Sequence, residues 1–541
     1  MDETTTAITT RLAGRSSRRA LLATAAKTGA LSAAVLAAGG VRSLPAGARA
    51  LLQDGGGTLV VAIPQATVQL DPAIAGSNGY GDIIPVTDNV TEGLTRFKPG
   101  TVEIEPALAE SWETSEDGLT WTFAIRPGVT FHDGTPLDAK AVETNILRQI
   151  DEEHPLHQEG MVYAGIAFAD VESTEATGDL ELTVTLTRPS ILLPGNLAIF
   201  AAGIVSPAWL EAGADATTGV VGTGPFKVDA WTRDVQLDLV ANDDYWGGRP
   251  ALDRVIFRTV PEDTVRLSEL QTGSIDVANQ IDFKDATTIE GDPNLQLITG
   301  GYLNVQFLAF NQAHAPFDSL EVRQAVSQAI NKQNIADAVF YGRYTLGAGP
   351  IAPPLPGYDA SFAEAYPFDQ EAARAAIDAA GAAGASFDLY VRNNSFWPLI
   401  GQLVQADLAA VGLTANLQTL EDADFFSTLA TGSVPAFIND WTWDNGDPDN
   451  VMSSLFVGDR AVSRLGYDDP DVAALIEEAQ VTADPAARTQ LYLDAQRAIV
   501  DDAVWVTLGY PERGIGARAA VQGLVVSPVG SVVLREVTLT S

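Results

Sequence analysis

Between residues 387 and 441 the hydrophobic spacing alternates between two periods, and this limits the fold more than any other feature of the chain. Phe387–Val391 reads as a strand, after which Ile400, Val404, Leu408 and Val411 fall on one helical stripe that Gly412 ends. Strand Leu413–Thr419, helix Ala423–Ala430 and strand Ala436–Trp441 follow. Such spacing implies an α/β layer with largely parallel pairing, in which a ligand sits beyond the carboxyl ends of the strands. Arg392 follows one strand end and Trp441 to Asp444 follow another, so both point at one crevice. Upstream, Val322, Ala325, Val326, Ala329 and Ile330 mark an amphipathic helix, and Ala372–Ala380 another that Gly381 caps.

The N-terminal half mixes its elements without strict alternation. Gly55-Gly56-Gly57 precedes a β-branched strand, Thr58–Ile63. Strands Trp121–Arg126 and Leu180–Leu186 follow, and a helix runs through Ala139–Gln149. Residues 1–50 differ in kind. Arg11, Arg15, Arg18 and Arg19 precede an apolar run, Ala20 to Gly40, and Ala48-Arg49-Ala50 offers a small-x-small cleavage pattern. Ser17-Arg18-Arg19-Ala20-Leu21-Leu22 resembles the twin-arginine export signal. A membrane anchor is the competing reading, but Lys27 interrupts the run, and alanine and glycine contribute little transfer energy. The chain is expected to be exported to the periplasm or the outer face of the plasma membrane, with no cysteine for lipid attachment.

Composition removes whole classes of chemistry. With 70 acidic against 32 basic residues and a net charge of −38, the surface repels nucleic acid. Without cysteine there are no disulfides, thiolate nucleophiles, iron–sulfur clusters or cysteine zinc sites. No G-x-S-x-G elbow, H-E-x-x-H helix, S-x-x-K set, Walker loop or G-x-G-x-x-G fingerprint occurs. His154-Pro155-Leu156-His157 has the wrong spacing for a metal helix, and the turn from Asp444 lacks the glycine and glutamate of an EF-hand. No catalytic residue, metal or cofactor is therefore expected.

The remaining concentration of chemistry is Trp441, Trp443, Asp444, Asp447 and Asp449. Tryptophan beside a carboxylate in a crevice suits a ligand with a cationic group and an apolar body. Arg392 supplies either a fork for a carboxylate at the far end of such a ligand or a surface salt bridge. A ligand carrying both an ammonium and a carboxylate is an amino acid or a peptide.

Several segments together resemble the family 5 extracellular solute-binding proteins, the dipeptide/oligopeptide-binding group of ABC importers. They are Pro106–Trp112 with Ser115–Phe123, Arg126–Leu137, Gly222–Phe226, Asn242–Gly248, Phe310-Asn311, Pro316–Asp318, Val322–Ala325 and Trp441–Asn450 (WTWDNGDPDN). The resemblance implies a two-lobed periplasmic-binding-protein fold of the large, class II-like form. Lobe I would take residues 51–303 and 509–541 and lobe II residues 304–508, with crossings near Asn304–Phe310 and Val504–Gly509. It implies that Asp444 holds a peptide's amino group and that Arg392, before Gln405-Ala406-Asp407, holds the carboxylate. Trp441, Trp443 and Asn445, with Ser77 and Asn78 of the loop Gly76-Ser77-Asn78, complete the expected contacts. The partners implied are a small peptide, an ABC permease and its ATPase subunits, with the binding protein a monomer. The alternatives are an oligosaccharide or nickel-chelate cargo, or a receptor that reports occupancy to a membrane sensor.

Overall fold

The computed structural model describes residues 56–74, 83–213, 215–393 and 396–540. The export-type segment, Ser77 and Asn78 lie outside the described residues. A twelve-stranded mixed sheet organises the rest. Its strands are β1 (Thr58–Ile63), β2 (Phe226–Thr232), β3 (Gln236–Ala241), β4 (Arg254–Thr259), β5 (Val277–Asn279) and β6 (Leu295–Gly301), then β7 (Asn304–Phe310), β8 (Tyr344–Leu346), β9 (Ser386–Arg392), β10 (Thr414–Leu420), β11 (Ala436–Thr442) and β12 (Trp505–Arg518). The order is β10-β9-β11-β7-β12-β5-β1-β4-β3-β2, with β6 and β8 pairing β12 off this path.

The expected strand–helix alternation is present. Strands β9, β10 and β11 pair in parallel and are joined by helices Trp397–Ala410 and Asp422–Leu429. The apolar stripe decides the packing: Ile400, Val404 and Leu408 are buried in one core with Leu389 and Val391 of β9. Helix Leu320–Ala329 buries Val322, Ala325, Val326 and Ala329 in that same core. In the other half, Thr58–Ile63 is β1, parallel to both β4 and β5. A separate four-stranded antiparallel sheet contains Thr120–Ile125 and Glu181–Leu186, within a residue of the sequence expectation.

β12 exceeds its expectation. Fourteen residues long, it pairs with β7 through Trp505–Gly509 and with β5 and β6 through Glu512–Arg518. It therefore belongs to both halves of the sheet, and the chain passes between them at Gly509–Arg513. The second passage is Tyr302–Leu303, between β6 and β7. The first passage precedes β7, and pairing on both flanks keeps β12 extended through the second. The register sets the consequence. Asn279 at the end of β5 lies opposite Ile515, while Thr442 at the end of β11 lies opposite Asn304. The carboxyl ends of the parallel strands in the two halves therefore face each other across the middle of β12.

Two of the sequence segments prove to be scaffold. Glu92 is buried and accepts from Thr223, from the Tyr245 hydroxyl at 2.7 Å and from Trp246 Nε1 at 2.9 Å, which fixes the Asn242–Gly248 loop. Gly224 lets the chain pass Asn89 closely, since a Cβ there would sit 2.6 Å from the Asn89 carbonyl oxygen.

Candidate functional site: a cleft over the middle of the long strand

A cleft of about 1210 Å³ opens where the strand ends converge. Pro64 and Gln65 follow β1, and Gln280 to Phe283 follow β5. Arg392 ends β9, Asp440 to Thr442 end β11, and Pro511 to Gly514 form its floor on β12. This volume is at or above the ~300–1,000 Å³ usual for small-ligand pockets. Apolar side chains line it in the open: Val162 is 66% exposed, Tyr341 55%, Leu399 42% and Phe426 40%.

The acidic turn resolves into structural and unpaired members. Asp447 accepts a two-pronged ion pair from Arg488 at 2.7 and 2.9 Å. Asp449 accepts from Gln480 Nε2 at 2.9 Å and from the Tyr492 hydroxyl at 3.2 Å. Asp444 alone lines the cleft, and it has no hydrogen bond or ion pair among the described residues. Burial without a compensating cation pushes its carboxyl up to about 7.

The expected neighbours divide in the same way. Trp441 lines the cleft, donates through Nε1 to Asn450 at 2.7 Å and lies beneath the Arg460 guanidinium. Trp443 does not line it. Its side chain is fully buried in the core: β11 ends at Thr442, and past that end the chain leaves the strand's alternation, with the Trp443 N–H donating to the Leu303 carbonyl oxygen at 3.0 Å. Asn445 is also buried, and it donates to Asn196 at 2.9 Å. It joins the loop to the N-terminal half, where a Cβ on neighbouring Gly446 would press against Phe97 and Val102.

Arg392 does reach the cleft, but its charge is engaged. It forms an ion pair with Asp440 and stacks on Trp397, 4.5 Å from the ring centre. The partner is itself a cleft residue, on the adjacent parallel strand. Sequence reasoning missed two other arginines. Arg464, half-buried on helix Gly458–Leu465, and Arg513, 9% exposed on β12, both line the cleft without an ion-pair partner among the described residues. Desolvation lowers the pKa of both guanidinium groups. The signal that would have exposed them is tertiary: in a chain this acidic most arginines find carboxylates, and these do not.

Comparison with known proteins places this geometry. The profile of bacterial extracellular solute-binding proteins, family 5 Middle, matches residues 103–462. The chain belongs to family 5 of the bacterial extracellular solute-binding proteins. It is 33% identical over 471 residues to heme-binding protein A of Haemophilus influenzae, covering 82% of this chain and 86% of that one. To di/tripeptide-binding protein 4 of Pseudomonas aeruginosa it is 32% identical over 472 residues, covering 82% and 88%. Among solved structures, the periplasmic binding protein DppA of Helicobacter pylori in complex with the peptide STSA superposes with a TM-score of 0.77 at 28% identity, covering 90% of this chain and 99% of that one. The fold of this family 5 binding protein is thus a two-lobed periplasmic-binding-protein fold with its cleft between the lobes. Among the described residues no helix is long and apolar enough to cross a membrane.

Proposed function

We propose that this family 5 binding protein captures short peptides by hinge closure outside the membrane and delivers them to an ABC permease and its ATPase subunits, without catalysing a reaction. The observation that carries the reading is Asp444, a desolvated carboxylate with no cation, set in a cleft whose walls expose apolar side chains. A peptide's terminal ammonium supplies the missing charge, and its side chains cover Val162, Tyr341, Leu399 and Phe426. Contact with both lobes at once favours the closed form. On this reading lobe I is residues 51–303 and 509–541, lobe II is residues 304–508, and the Asn196–Asn445 bond is one of the contacts between them. Export by a twin-arginine signal and a monomeric state belong to the same proposal.

The names of the relatives support peptides and also offer haem. Haem brings two propionates and no ammonium, which would leave Asp444 uncompensated. No histidine lines the cleft among the described residues, which weighs against a nickel chelate. The deciding experiment is a set of thermal melts with di- and tripeptides, their N-acetylated forms, nickel–histidine, short sugars and haemin. At about 100 times its dissociation constant a true ligand stabilises by ~2.7 kcal/mol. A shift from free-amine peptides that vanishes on acetylation is the expected result. A shift from haemin, sugar or metal with silence from every peptide would overturn it.

A further inference from the structure

The peptide reading leaves the opposite end of the ligand without an anchor, since Arg392 is already neutralised by Asp440. We infer that Arg513, on the strand that passes between the lobes, receives a carboxylate of the ligand. This rests on the peptide reading and deepens it.

The guanidinium of Arg513 is more than nine-tenths buried, lines the cleft, and has no hydrogen-bond partner for its Nη2 among the described residues. Leaving a buried donor unmade is costly, and a buried cation more so. Its surroundings are arranged around it. Tyr302, on the other crossing segment, presents its ring face 5.4 Å from the guanidinium carbon. The turn that closes with Gly530 N–H donating to Ser527 passes directly above. Gly530 has φ +98, and a Cβ there would stand 2.6 Å from Arg513 Nη1, so the turn is kept bare where the guanidinium needs room. Val529 and Gly530 both face the cleft.

The two unpaired charges are linked through Tyr302. Its ring meets Arg513, while its hydroxyl bonds Thr442, two residues before Asp444, and feels the Asp444 charge. A zwitterion laid across Tyr302 therefore meets an acid at one end and a base at the other. A carboxylate satisfies the charge of Arg513 and its orphaned Nη2 donor as no neutral group does. Because Arg513 sits at Gly509–Arg513 and Tyr302 on the second crossing, the anion contacts both passages between the lobes, where closure is controlled.

The test uses the full chain and calorimetric titration with three probes: Ala-Phe, Ala-Phe amide and Ala-Glu amide. The parent should bind Ala-Phe about tenfold or more tightly than its amide. In Arg513→Gln that ratio should fall towards one through loss of free-acid binding, and Arg513→Lys should retain part of it. Strong binding of Ala-Glu amide by the parent, lost in Arg513→Gln, would identify the carboxylate as an acidic side chain and still support the assignment. A full ratio in folded Arg513→Gln would overturn it while leaving the peptide reading in place. Failure of the parent to bind any probe would overturn both.

Discussion

Burial holds the Asp444 carboxyl near 7, so the apo protein carries it only partly ionised at neutral pH. In the unfolded chain the group titrates at its ordinary value, near 4. Between those values the folded state binds the extra proton, so this group costs stability as pH rises from about 4 through about 7. Asp444→Asn lacks that cost. We predict that its melting temperature matches the parent's near pH 4 and exceeds it at pH 8, while peptide affinity falls by ~10–150-fold, the value of a charged hydrogen bond. Calorimetric melts at both pH values check the first half and titration the second. In the parent, peptide affinity should weaken as pH drops below 7, because the ammonium then meets a protonated acid. An affinity flat from pH 5 to 8 would remove Asp444 from the site. Sequence could gather Asp444, Asp447 and Asp449 on one turn but could not sort them. Their partners, Arg488, Gln480 and Tyr492, lie roughly thirty to forty residues further on.

At the scale of elements, the turn after β11 is held by helix Pro485–Asp501, which supplies Arg488 and Tyr492. Arg488 is 9% exposed and its pair with Asp447 is partly buried. Arg488→Leu leaves Asp447 uncompensated and should cost on the order of 3 kcal/mol of stability. It should also weaken peptide binding, although Arg488 does not line the cleft, because the turn carrying Asp444 loosens. Denaturant melts and titration on the same sample test this; unchanged affinity in a destabilised variant would confine the helix to a structural role. The crossing makes a second case. Gly509 on β12 lies where a Cβ would approach the Tyr344 ring to 2.2 Å and the Thr345 carbonyl oxygen to 2.5 Å, and Tyr344 is itself stacked on Phe340. Gly509→Val should separate β8 from β12 and cost about 1–3 kcal/mol through overpacking. Helices and strands were legible in sequence to within a residue or two wherever the apolar period was clean. β12 was not, because Gly509 and Pro511 look like a strand end, and only pairing on both flanks keeps the chain extended through them.

For the whole molecule the consequence is motion. Two passages, Tyr302–Leu303 and Gly509–Arg513, connect the halves of the sheet, and the remaining bridges include Asn196–Asn445 and the Arg343–Glu290 ion pair. On the proposed reading, a peptide touching both lobes moves the balance between open and closed forms. Small-angle scattering with saturating dipeptide should show a smaller radius of gyration than the apo protein, and Asp444→Asn should show no change. Equal radii in the parent with and without bound peptide would rule out hinge closure.

What the sequence determined by itself was the α/β alternation from Phe387 to Trp441, the family, the exclusion of cysteine chemistry and the position of Asp444 just past a strand end. Each follows from local information, namely residue period, residue type or a contiguous motif. The tertiary structure decided which charges remain free. Arg392 was paired with Asp440 on the adjacent parallel strand, Trp443 was carried into the core past the end of β11, and Arg513 was set in the cleft lining without an ion-pair partner among the described residues by a strand that pairs in both halves of the sheet. Pairing partners separated by tens to hundreds of residues set those outcomes, and no period or motif in the chain encodes them locally.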